Sequence, residues 1–174
     1  MRKASILILV SIILLSTTAS SQTRRRAPRR STTASKAAAE KSSAEVLAAR
    51  GRVAAQIKTL SQFLYLYGGI AKGIESADLA TRSGEASQVA SQQNDRTKAR
   101  VKESIRNVRE GLDRLEADIR FGSDAVKNYY PYISGVARTA EMAESQAAAN
   151  RFDEAGKSLL KAVNQLTDAL TAMR

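Results

Sequence analysis

The chain contains no cysteine, no histidine and no tryptophan. Without cysteine there is no disulfide, no thiol nucleophile, no thiolate zinc ligand and no attachment point for a bacterial lipid anchor. Without histidine the usual general base and the commonest imidazole metal ligand are missing as well. A base-assisted nucleophile needs a partner that is not there, and so does the Glu-x-x-His metal motif of helical bundles. The stretch GGIAKGIES, which begins at Gly68, lacks the GxxxxGK[ST] order of a phosphate-binding loop. The expectation is a non-catalytic chain with no cofactor and no metal site. Bulky apolar residues are scarce too: 43% of the 174 residues are apolar, but much of that is alanine, and three Phe and five Tyr supply all the aromatic bulk. Thin, alanine-rich helices in one ordinary domain follow from this.

What is present is periodicity. From Val101 to Ile119 the chain reads VKESIRNVREGLDRLEADI, with apolar residues at Val101, Ile105, Val108, Leu112, Leu115 and Ile119. Alternating steps of four and three keep one seam on a helix and match the a/d positions of a heptad. The opposite face is charged, with Glu110 and Arg114, and Glu116 and Arg120, placed as stabilising pairs four apart. A similar seam runs through Val46, Val53, Ile57, Leu60, Leu64 and Tyr67, which predicts a helix from about Ala44 to Tyr67. Gly68 and Gly69 then end it, or bend a longer helix that continues through Ile70 and Ile74 to about Ala80. A third helix is expected from Ser123 and Asp124 onward, with Val126, Tyr129, Ile133, Val136, Ala140, Ala143 and Ala147 inward and Pro131 as a bend or a first turn. A fourth is expected after Asn150 as N-cap, with Phe152, Ala155, Leu159, Val163, Leu166, Leu170 and Met173 inward.

Short connections predict antiparallel neighbours, so the fold class is all-α, an antiparallel up-down bundle of about four helices with a disordered basic N-terminal arm. Turns near 83, 122 and 150 place Asn150 level with about Asp95. The first helical hairpin then projects beyond the second pair, and the polar run from Thr81 to Arg100 is that overhang.

The N-terminus divides in two. Residues 1–21 carry Arg2 and Lys3, the apolar run ILILVSIILL from Ile6 to Leu15, and small residues up to Ser21, the three regions of a secretory signal. Cleavage after Ser21 or Ala19 is expected, which makes the protein periplasmic or secreted. The alternative is an uncleaved inner-membrane anchor, because the arginines downstream outnumber the two basic residues upstream. Residues 22–43, QTRRRAPRRSTTASKAAAEKSS, hold no large apolar residue and read as a disordered basic arm. Residues 44–174 form the bundle domain. Charge is segregated accordingly: six basic residues lie in the arm before the first acid, Glu40, whereas residues 37–174 hold 20 basic against 17 acidic residues of a total net +11.

Arg24, Arg25, Arg26, Arg29 and Arg30 are the candidate site, a tract able to bind phosphates or anionic headgroups in a salt-sensitive manner. No aromatic interleaves them, which argues against base stacking. The aromatic groups Phe63, Tyr65, Tyr67 and Tyr129, Tyr130, Tyr132 fall too far apart along the helices to share a pocket; packing is the expected role, with at least Tyr65 and either Tyr130 or Tyr132 off the seams and partly exposed. The carboxylate pairs Glu110 with Asp113 and Glu141 with Glu144 read as solvated faces. The segment ANRFDEAGKSLLKAV, Ala149 to Val163, resembles the second helix of a tetratricopeptide repeat in its turn, aromatic, acidic pair and spaced alanines. No repeat of that family's period appears upstream, so the likeness marks a helix start. The functional expectation is a non-catalytic exported bundle protein that binds a protein partner or an anionic envelope surface through the arm. Alternatively, it is a nonspecific nucleic-acid-binding or membrane-anchored protein with the arm facing the cytoplasm. No small-molecule substrate is evident, and a homo-oligomer fits the thin seams.

Overall fold

The computed structural model describes residues 31–174, with side chains from residue 35 onward. The signal segment and the tract from Arg24 to Arg30 lie outside the described residues. Within them the chain is an all-α bundle with six helical elements: α1 (Ser31–Arg82), α2 (Gln88–Arg120), α3 (Asp124–Lys127), α4 (Tyr130–Ile133), α5 (Val136–Ala148) and α6 (Phe152–Ala172). The short α3 and α4 lead into α5 and together make one leg. The four legs close into a ring in which α1 packs on α2 and α6, and α5 packs on α2 and α6. This is the up-down arrangement that the short connections predict.

Heptad seams form the core. Val101, Ile105, Leu112, Leu115 and Ile119 of α2 are buried, as are Val53, Leu60, Tyr67 and Ile74 of α1 at intervals of seven. On α6 the buried set is Phe152, Ala155, Leu159, Ala162, Leu166 and Ala169, followed by Met173. Alanine dominates α5, where Ala140, Ala143 and Ala147 are fully buried. Small side chains at that position let α5 lie close to both neighbours, at the cost of little buried area per residue.

One boundary of α1 differs from the sequence expectation, and a second, which the sequence left open, is decided by the structure. The helix does not start at Ala44 but at Ser31, so residues 31–43, read above as part of a disordered arm, form its first turns. Intrinsic propensity accounts for this: Ala37, Ala38 and Ala39 are strong helix formers, Lys36 and Glu40 are placed as an i,i+4 pair, and the Ser42 and Ser43 hydroxyls donate back to Ala39 O at 2.9 Å. At Gly68 and Gly69 the longer of the two courses holds, and α1 does not end there. Both glycines face open space, and the helix continues unbroken to Arg82. Burial of Tyr67 and Ile74 on either side of them offsets a propensity cost of about 2 kcal/mol.

The third leg is broken more than expected. Pro131 sits in the first turn of α4, and Gly135 takes a left-handed φ of 87°, so the leg turns twice before α5 begins. At its far end Asn150 is not the N-cap of α6. It adopts φ 60° as the left-handed residue closing α5, with Arg151 N donating to Gln146 O at 2.8 Å and Asn150 N to Ala147 O at 2.9 Å. That is the Schellman pattern, which Asn tolerates better than most side chains do.

Register follows from polar contacts. Lys102 Nζ donates to Ala148 O at 3.3 Å, so α5 ends slightly lower on α2 than Asp95. Above that level α1 and α2 continue as a two-helix tip. Its interior is polar: Asp78 accepts from Asn94 Nδ2 at 2.7 Å and Lys98 Nζ at 2.5 Å, while Val89 is exposed. Ser87 caps α2 with its hydroxyl, and Gly84 makes the turn with φ 79°.

Candidate functional site

Two surface features stand at opposite ends of the bundle. The first is the base, where α1 enters and where the arginine tract is covalently joined to it. Residues 35–41 of α1 are exposed and lead down to Ser42, Ser43 and Val46. There they meet Ala125, Asn128 and Tyr129 of the third leg, together with Met173 and Arg174, around a hollow of about 510 Å³. The turn between α2 and α3 lies at the same end. Ile119 is the last buried residue of the α2 seam, and Phe121 just beyond it is 78% exposed. The Arg120 guanidinium carbon stands 5.3 Å from the Phe121 ring centre and 5.8 Å from that of Tyr130, so one cation links two aromatic rings. Tyr132 is 55% exposed on α4.

Arg120 is free for this because Glu116, expected to pair with it, has other partners. Its two oxygens accept Gly135 N at 3.2 Å and Ala137 N at 3.1 Å and so fix the turn into α5. Sequence spacing showed only that Glu116 and Arg120 were neighbours. The competing backbone donors come from a left-handed turn on another leg.

The second feature is a groove at the shoulder, where α6 begins and the tip of α1 rises past it. It encloses about 750 Å³ between α1 residues such as Leu64, Ala71 and Leu79 and α6 residues such as Asp153, Lys157 and Leu160. Tyr67 forms its floor and donates from its hydroxyl to Phe152 O at 2.5 Å. Burial, and secondarily the charge of Asp153, pushes the Tyr67 phenol up to about 12. Tyr67 therefore stays protonated at neutral pH and acts as a structural donor, not as an acid or base. At the rim Lys157 pairs with Asp153 at 2.7 Å and Arg151 with Glu154 at 2.8 Å. Neither the groove nor the Tyr67 contact was legible in the sequence, since both depend on how α1 and α6 register.

Three of the four carboxylates in these pairs are engaged in ion pairs. Asp113 accepts from Arg109, Glu110 from Arg114 at 3.5 Å, and Glu144 from Arg106 at 3.0 Å and Arg109 at 2.6 Å. The Arg106 hydrogen bond chiefly holds the Glu144 carboxyl below its usual range, against a smaller opposing effect of burial. Glu141 is exposed. No group of three metal-ligating side chains occurs among the described residues. The aromatic groups separate as the spacing implies. Tyr67 lines the shoulder groove and Tyr129 the basal hollow, while Tyr65 is 86% exposed.

Among the described residues no helix is long and apolar enough to cross a membrane. Comparison with protein-family models, curated proteins and solved structures returned no match.

Proposed function

We propose that the chain is a non-catalytic, exported bundle protein that uses its basic arm to hold an anionic envelope surface. The observation that carries this reading is charge segregation. Every charge from Arg24 to Lys36 is positive, whereas residues 37–174 are nearly balanced. The start of α1 at Ser31 supports it, because the tract directly precedes a helix whose residues 35–41 are exposed. Phosphate-bearing surfaces attract such a tract through counterion release, with an affinity that falls as salt rises.

The test is co-sedimentation of the purified protein with anionic vesicles across a salt series, beside a full-length variant carrying Gln at Arg24, Arg25, Arg26, Arg29 and Arg30. Loss of salt-sensitive binding in the variant is expected, and undiminished binding sinks the arm's role. A second reading is favoured by the excess of arginines after the apolar run of residues 6–15 over Arg2 and Lys3 before it. In that reading the run stays as an anchor and the arm faces the cytoplasm. N-terminal sequencing separates the two. A start at Gln22 or Ser20 in an exported fraction rules out the anchor.

A further inference from the structure

We propose that the base of the bundle is itself a second contact with an anionic lipid bilayer, in which Phe121 and Tyr132 enter the headgroup layer while Arg120 and Lys127 meet lipid phosphates. This rests on the surface-binding reading above and names lipid as the surface.

The first argument is that Phe121 has no place in the bundle core, Arg120 over its ring being the contact it makes. The α2 seam closes at Ile119, which is fully buried, while Phe121 lies on a turn with 78% of its surface in water. Burying a phenylalanine ring is favourable, so a partner phase that takes it up gains what the fold leaves unused. A single exposed ring on a turn suits a deformable layer better than a rigid pocket. Tyr132, also exposed, has the apolar body and polar tip that suit a membrane interface.

The second argument is charge. Arg120 and Lys127 are exposed on either side of this turn. The carboxylates nearby are partly committed: Glu116 to the backbone of Gly135 and Ala137, and Asp118 to Arg52 at 3.8 Å. Asp124 remains, in the first turn of α3. The third argument is position. The hollow lined by Ser42, Val46, Ala125 and Tyr129 shows that this level of α1 and the α3 turn share one end of the bundle, the end from which the first eleven residues of α1 extend. An arm drawn to an anionic layer therefore approaches it with the Phe121 end of the bundle leading, and α1 lies over along the layer when Phe121 reaches it. Basic residues flanking interfacial aromatics are the composition that peripheral membrane contacts use.

The absence of tryptophan makes this directly measurable. Phe121→Trp places the sole indole of the chain at the proposed contact, and Tyr65→Trp places it on an exposed face of α1. Each variant, checked for native helicity by circular dichroism, is mixed with vesicles of phosphatidylglycerol and phosphatidylcholine in equal parts, and with phosphatidylcholine alone. The expected result is a shift to shorter wavelength for the indole at 121, and quenching by lipids brominated near the headgroup, with anionic vesicles only. The indole at 65 should keep its solvent-exposed emission. If the protein pellets with anionic vesicles while the indole at 121 stays in water, the basal contact is overturned and the arm reading stands. If the indole at 121 is buried by vesicles even with all five arm arginines replaced by Gln, the basal contact stands and the arm reading falls. If the native protein fails to pellet at low salt, both fall. Docking of Phe121 on a protein partner would appear as an indole that vesicles leave unshifted, and it overturns the lipid assignment.

Discussion

Gly156 of α6 and Tyr67 of α1 fit as hole and knob: a Cβ at position 156 would lie 2.9 Å from Tyr67 Cε1. The ring cannot swing aside cheaply, because it is buried and its hydroxyl is bonded to Phe152 O. The contact fixes α6 against α1 at the level where the four-leg bundle gives way to the two-helix tip.

Gly156→Ala is therefore expected to destabilise, although alanine is the better helix former. Overpacking costs about 1–3 kcal/mol against a propensity gain of roughly 1 kcal/mol. Gly73→Ala, whose added Cβ meets nothing within 4 Å, should stabilise by about 0.5–1 kcal/mol. Urea unfolding of the two variants beside the native chain measures both signs. Stabilisation by Gly156→Ala would show that the interhelical fit yields.

Tyr67 predicts an alkaline limit. Its folded value of about 12 stands above the ordinary 10, so the neutral phenol is the form the fold favours. That contribution is complete below pH 10 and is lost as pH rises from 10 toward 12, at up to about 1.4 kcal/mol per unit. Tyr67→Phe removes the hydroxyl and about 1 kcal/mol of hydrogen bonding at neutral pH. The variant should lose less stability than the native chain between pH 10 and 12. Parallel stability curves for the two proteins across that range would contradict the assignment.

Asp78 holds the tip. It accepts from the buried Asn94 amide and from Lys98, which ties α1 to α2 where no apolar seam does so. Asp78→Ala leaves Asn94 without that partner, a penalty of about 1–3 kcal/mol felt locally. Hydrogen exchange should quicken at amides near 78 and 94, while those around Leu112 and Leu159 keep their protection. Equal acceleration in both regions would mean that tip and body open together.

The helical seams were legible because a heptad is written in local spacing. Val101 to Ile119 required only that apolar residues recur, and the same holds for Phe152 to Met173. The short connections then dictated an antiparallel ring. Residues whose role depends on a distant leg were not legible. Gly156 reads as a weak point in α6 until Tyr67 is placed beside it, and Glu116 reads as a surface acid until Gly135 turns its N–H toward it. The continuation of α1 through Gly68 and Gly69 likewise reflects burial of Tyr67 and Ile74, which outweighs local propensity. Asn150 closes α5 without capping α6 for a simpler reason: a residue between two helices can cap either, and the left-handed φ that decides it is a backbone property. The arginine tract was legible as composition alone, and its five residues precede the described part of the chain.

The uninterrupted course of α1 also sets a length scale. Its 52 residues, at about 1.5 Å each, span roughly 78 Å between Ser31 and Arg82. With no break at its glycines, the helix is a spacer of fixed reach. If the basal turn at Phe121 meets a surface, the Gly84 turn at the opposite end of α1 is held away from it by more than a Debye length at physiological salt. Whatever meets the tip meets it outside the field of the surface that holds the base.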